Sequence, residues 1–282
     1  MLSDVVDLLR CPHCQQELRL QGRVLACPSG HAFDVARQGY VNLLPRRPST
    51  GTGDSPSMVQ ARASFLGRGH YAAFADAVAS ALSAQDEGNE VGRDEPIAEV
   101  GAGTGYYLAQ VLRGREGSGV ALDVSAAAAR RAARAHERIG SVVADAWTSL
   151  PLRDACLGGV VVAFAPRSGG ELARVVRTGG RLVVLVPGAD HLAELRTTLG
   201  LLDVDPHKAE RLAASLGPQF EPSSVHPLGW RAELDHDDVR DLVLMGPNAR
   251  HQDPGRLEDR VAALPARVGV TVSGVVHVLR RR

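Results

Sequence analysis

Lysine is all but missing from this 282-residue chain: of its 32 basic residues, every one except Lys208 is arginine. With heavy alanine, glycine and valine use, that excess reads as a GC-rich coding bias and says little about binding. Net charge is missing too, since 32 acidic residues balance the basic ones. A general polycation is therefore excluded, and any nucleic-acid surface must be a local patch. No apolar run approaches the roughly 20 residues needed to span a bilayer, so no membrane partner is expected. The opening MLSDVVDLLRCPHC carries two acids and no long apolar stretch, unlike a secretory leader; a cytoplasmic protein is expected. Cysteine is scarce. Cys11, Cys14 and Cys27 crowd beside His31, which suggests metal binding in a reducing compartment and argues against a disulfide framework. Cys156 stands alone beside an apolar strand pattern and reads as a small core residue. There is no internal repeat and no coiled coil.

What is present is an ordinary globular composition, 44% apolar and 23% charged, long enough for one α/β domain and a smaller appendage. Three parts are expected. Residues 1–45 hold short β-prone pieces, too few to build a core without a staple. Residues 46–88 begin as a Pro/Gly/Ser/Thr-rich linker over 46–57 and continue as helix, with Phe74, Val78 and Leu82 forming one apolar stripe. Residues 89–282 alternate strands and helices: strands at 97–100, 119–124, 141–146, 158–164 and 181–186, a helix over 106–113, and a tail with a helix over 207–216, β-prone pieces near 223–234 and 268–279, and helices near 236–245 and 254–263. Such alternation implies right-handed βαβ units around a parallel sheet.

The spacing Cys11-x2-Cys14-x12-Cys27-x3-His31 can close a tetrahedron around zinc, with turn formers Pro12, Pro28 and Gly30 inside the two knuckles. No open coordination position is evident, so the zinc is expected to be structural and to fold the small module. His13 is a competing fourth ligand, but it is wedged between two cysteines.

Glu99-Val100-Gly101-Ala102-Gly103-Thr104-Gly105 follows the first apolar strand and opens a helix. Glycines there allow a sharp turn and a close approach of ligand to backbone. A dinucleotide fingerprint would place glycine or alanine at 106, where this chain has Tyr106. The G-x-G-x-G run with Glu99 before it resembles the first motif of Rossmann-like methyltransferases, which wraps the amino-acid end of S-adenosylmethionine. Asp123, ending the second strand, can accept two ribose hydroxyls or help cap the helix that starts near Ser125. Asp145, ending the third, fits a position that reads the adenine amino group, or is a turn aspartate. RTGGRLVVLV (177–186) resembles the glycine turn before the fifth strand of that fold. NAD stays open as a second cofactor.

Longer stretches carry a narrower likeness: GHAFDVARQGYVNLLP after the cysteines, GDSPSMVQARASFLGRGHY, GAGTGYY, LDVS, APR and DHL. The chain resembles the 23S rRNA guanine-N1 methyltransferases over nearly its whole length, and FAPR and DPHKAERL resemble the actinomycete branch associated with tylosin and mycinamicin resistance. The resemblance implies a class I methyltransferase domain behind a zinc module that recognises RNA, with Cys11, Cys14, Cys27 and His31 as zinc ligands. Cofactor contacts would fall on Tyr71, Gly103, Thr104 and His191 within a site completed by Gly101, Gly105, Asp123 and Asp145. It implies a guanosine in helix 35 of 23S rRNA as target, and a homodimer. Some relatives carry an acidic residue where this chain has Thr104.

Methyl transfer from a sulfonium is an in-line displacement that asks mainly for positioning, yet neutral guanine N1 carries a proton that something must take. Asp54, Asp145, Asp190 and His191 are candidates by type. Phe164 could stack on an exposed base or simply pack in the core. Arg37, Arg46, Arg47 and Arg280 to Arg282 could meet phosphates or be solvated. A small-molecule methyltransferase of secondary metabolism and a non-enzymatic RNA-binding zinc protein are the readings from other classes.

Overall fold

The computed structural model describes residues 1–44, 53–84, 91–202, 212 and 215–282. Arg46 and Arg47, the linker over 46–52 and most of the helix expected at 207–216 lie outside the described residues. Along the chain run strands β1 (Arg19–Gln21), β2 (Val24–Ala26), β3 (Ala32–Asp34) and β4 (Tyr40–Asn42), then helices α1 (Pro56–Gly67) and α2 (Ala72–Ser83). Next come β5 (Ile97–Val100), α3 (Tyr106–Arg113), β6 (Gly119–Asp123), α4 (Ala126–Ala132), β7 (Ile139–Val143), β8 (Leu157–Ala163) and α5 (Gly169–Val175). The remainder is β9 (Val176–Pro187), α6 (Ala193–Leu199), β10 (Phe220–Leu234), α7 (His236–Leu244), α8 (Pro254–Ala262) and β11 (Val268–Arg281).

β1 to β3 form a small antiparallel sheet, and the other strands form one sheet in the order β10-β11-β9-β8-β5-β6-β7-β4. Strands β4 to β9 pair in parallel, while β11 runs antiparallel to both β9 and β10. The chain therefore steps outward from β5 in both directions, and the reversal between β5 and β8 opens a crevice at the carboxyl ends of the strands. The expected Rossmann-like α/β domain is what forms.

Apolar residues sort onto the two faces of this sheet. Phe74, Val78 and Leu82 of α2 are fully buried with Leu108 and Leu112 of α3 on one face, the stripe that the spacing predicts. On the other face Leu2, Val5, Leu9, Leu18 and Leu25 join Val120, Val142 and Val160 in one continuous cluster. The cysteine-bearing segment thus shares the core of the large sheet, and β4 extends its edge by pairing Tyr40 to Asn42 with Ser141 to Val143 of β7. Arg181 is fully buried on β9; its Nη1 donates to the carbonyls of Ala81 and Ala84 at 2.7 Å each, closing the C-terminal end of α2 with a cation.

Several boundaries differ from expectation, three of them for a clear local reason. The linker ends at Ser55, whose hydroxyl accepts the Met58 N–H (3.2 Å) with Pro56 in the first turn of α1. β7 ends at Val143, because two residues later the Asp145 carboxylate accepts the Trp147 N–H at 2.9 Å and turns the chain. Gly179 and Gly180 lie inside β9: its pairing with β8 steps from Leu157↔Val176 to Gly159↔Arg181, and Gly179 (φ +75°) absorbs the looped-out residues.

Candidate active site and metal centre

The metal centre is built by two tight turns. Cys11 receives the Gln15 N–H on its carbonyl and donates its own N–H to Gln16, while Cys27 exchanges backbone bonds with Gly30 and His31. These turns bring the Sγ atoms of Cys11, Cys14 and Cys27 and a His31 ring nitrogen within 4.8 Å of one another. Cys14 and Cys27 stand 3.6 Å apart, and His31 Nδ1 lies 3.5 and 3.4 Å from Cys11 and Cys27. With Zn–S near 2.3 Å and Zn–N near 2.0–2.1 Å, the edges of a tetrahedron are about 3.5–3.8 Å. The donor set fits zinc in geometry and chemistry, and a closed set of four is a structural site. His13 stays out of it and stacks on Phe33 (centroids 5.8 Å apart, planes at 16°).

The second site is a cavity of about 780 Å³ at the carboxyl ends of β5, β6 and β8. The turn after β5 holds left-handed glycines at 101 (φ +71°) and 103 (φ +53°). A Cβ on Gly101 would stand 2.3 Å from the Ala165 Cβ, which has no room to move aside, and one on Gly103 would stand 2.7 Å from Arg62 Nη1 and push the guanidinium away. Asp123 braces this turn, accepting the Gly103 and Ser125 N–H groups at 2.8 Å each. Burial raises its carboxyl above the usual range, against the pull of those two donors. Glu99, buried behind the turn, accepts the Leu108 N–H at 2.9 Å; burial pushes its carboxyl up to about 8.

Opposite the turn, Tyr71 and His191 meet (Oη to Nε2, 3.1 Å) although 120 residues separate them. The Ser273 N–H points at His191 Nδ1 (3.2 Å), so that nitrogen accepts and the neutral ring carries its proton on Nε2, facing Tyr71. His191 is thus held as a donor, which places it poorly as a base. The tyrosine, whose phenol burial keeps protonated, retains its own proton for another acceptor. Phe164, just past β8, adopts φ +52° and turns its ring against His191 (6.2 Å, 23°), Tyr71 and Phe74, leaving it 39% exposed.

Of the residues singled out in the sequence, Tyr71, Gly101, Thr104, Asp123, Asp145 and His191 line the cavity together. Gly103 lies behind the Arg62 guanidinium, and Gly105 (φ +77°) starts α3 with its open side on Ala132 of α4. Among the candidate bases, Asp54 is paired with Arg62 at 2.7 Å, and exposed Asp190 accepts the Ser273 hydroxyl. Arg280 pairs with Glu221 and Arg281 donates to the Ala173 carbonyl, so the C-terminal arginines are engaged within the protein, while Arg37 is exposed. The thiol of Cys156 is pushed up to about 11 by burial, in line with a packing role. Sequence reasoning missed Arg62 and the cavity-lining Trp147, which is 64% exposed.

Fold and cavity define a class: an S-adenosylmethionine-dependent methyltransferase with a zinc ribbon at its N-terminal side. Two family models agree, one described as "RlmA, N-terminal" over residues 9–48 and one as "Methyltransferase domain" over 98–184. A crystal structure of a sarcosine dimethylglycine methyltransferase candidate from Galdieria sulphuraria matches with a TM-score of 0.51 at 13% identity, covering 79% of this chain and 97% of that one. The 23S rRNA (guanine(748)-N(1))-methyltransferase of Streptomyces fradiae is 47% identical over 99% of both chains. A candidate 23S rRNA (guanine-N(1)-)-methyltransferase of Micromonospora griseorubida is 46% identical over 100% of this chain and 99% of its own. The chain belongs to the family of 23S rRNA guanine-N1-methyltransferases.

Proposed function

We propose that the enzyme methylates N1 of a guanosine in helix 35 of 23S rRNA, near the macrolide site and exit tunnel, and thereby confers resistance to tylosin- and mycinamicin-type macrolides. The observation that carries this reading is the end-to-end identity of 47% with a relative named for N1 methylation of a guanosine of that RNA. The cavity suits the cofactor: S-adenosylmethionine bound there supplies an electrophilic methyl group. Asp123 would hold its ribose and Asp145 its adenine, with Tyr71, Gly101, Gly103, Thr104 and His191 around the amino-acid end. Gly105 serves the bend that lets the turn wrap the cofactor.

The mouth of the cavity also suits an unpaired base. Trp147, Phe164 and Leu202 are among the few large apolar side chains left exposed, and all three line it. The zinc module, fused to the sheet edge at β7, would contribute RNA recognition, in a cytoplasmic enzyme working as a homodimer. Primer extension on 23S rRNA tests the reading, because a methyl on N1 blocks pairing and stops reverse transcriptase. A new cofactor-dependent stop in helix 35 is expected, together with lowered tylosin sensitivity of cells expressing the enzyme. Absence of any new stop would sink the proposal.

A further inference from the structure

Of the carboxyl groups that line the cavity, those of Asp54, Glu99 and Asp123 flank the glycine turn, and the Arg62 guanidinium is set among them. Arg62 projects from α1, three-quarters buried, and its Nη2 pairs with Asp54 (2.7 Å) and donates to the Met245 carbonyl (2.5 Å). Its Nη1 occupies the space that a Cβ on Gly103 would need. Arg196 and Arg250 line the cavity as well, but they are bound to the carbonyls of Ala189 and Gly53. Among the described residues, Arg62 is the arginine that reaches the glycine turn.

A guanidinium is a flat fork of donors suited to a carboxylate. Held at the Met245 carbonyl, it is preorganised, so a carboxylate that displaces Asp54 meets a fork that loses little further side-chain freedom. The amino-acid end of S-adenosylmethionine carries one carboxylate. We propose that Arg62 binds that α-carboxylate against the glycine turn, with the Asp54 carboxylate taking its place in the ligand-free protein. The proposal rests on the cofactor reading of the cavity. It assigns Arg62 a ligand contact beyond its tie to Asp54.

Calorimetric titration of the full chain with two probes separates these roles. S-adenosylhomocysteine keeps the amino-acid end, and methylthioadenosine lacks it. Arg62→Gln should weaken S-adenosylhomocysteine about 10- to 100-fold, the scale of a charge-assisted contact, and leave methylthioadenosine within about twofold. Arg62→Lys should recover part of the loss. Asp54→Asn should bind S-adenosylhomocysteine at least as well as the unaltered enzyme. Equal weakening of both probes by Arg62→Gln, no weakening of either, or Asp54→Asn reproducing the Arg62→Gln loss would each overturn the assignment. Failure of the unaltered protein to bind either probe would overturn the cofactor reading itself.

Discussion

Two side chains at the cavity are held in states that cost the folded chain something. Glu99 is buried with its carboxyl raised from 4.5 to about 8. Between those values the unfolded chain releases its proton and the ligand-free folded chain does not. The contribution of Glu99 to stability is therefore fully present below about pH 4.5 and is lost as pH rises through 8, to the extent of a few kcal/mol at order of magnitude. Glu99→Gln should raise the unfolding midpoint at pH 8.5 and change it little at pH 5; parallel pH profiles for both proteins would refute this. Phe164 holds a left-handed backbone at a cost of about 1–2 kcal/mol for a ring that stays partly exposed, a kind of strain that clusters at functional sites. If its ring supports the target base, Phe164→Ala should lower turnover of RNA by about 10- to 100-fold with S-adenosylhomocysteine affinity within about twofold, and an equal loss of both would mean packing alone. Phe164 was legible as a candidate because it ends an apolar strand. Arg62 was not, since its partners at Asp54, Gly103 and Met245 are assembled by folding, the last of them 183 residues away.

At the scale of elements, the cysteine spacing and the glycine turn were readable because each closes within a few residues. The placement of β4 was not. Nothing local in Tyr40-Val41-Asn42 says that it will pair with β7, about 100 residues onward, so the first 45 residues read as a separate module although their apolar side chains enter the core of the large sheet. That sharing has a thermodynamic consequence. Losing the zinc should weaken the whole chain, because Leu18 and Leu25 belong to the same buried cluster as Val120 and Val142. Cys14→Ala should reduce bound zinc from about one per chain to near none and lower the main unfolding midpoint by on the order of 10 °C. Undiminished zinc would refute the ligand set, and an early, separate transition with an unmoved main one would refute the shared core.

For the molecule as a whole, zero net charge confines any RNA-binding surface to a local patch, and the cavity opens beside exposed aromatic side chains. Substrate identity is the level at which single-sequence physics ran out: helical periodicity and strand-end aspartates lead to a methyl donor, and only kinship leads to a particular nitrogen. The most direct measurement is therefore chemical. Unmodified 23S rRNA is incubated with the enzyme and a methyl-labelled cofactor, digested to nucleosides and resolved by mass spectrometry. The account predicts label in N1-methylguanosine, about one per rRNA, and none when the cofactor is withheld. Label in another nucleoside, or none in RNA at all, would contradict it.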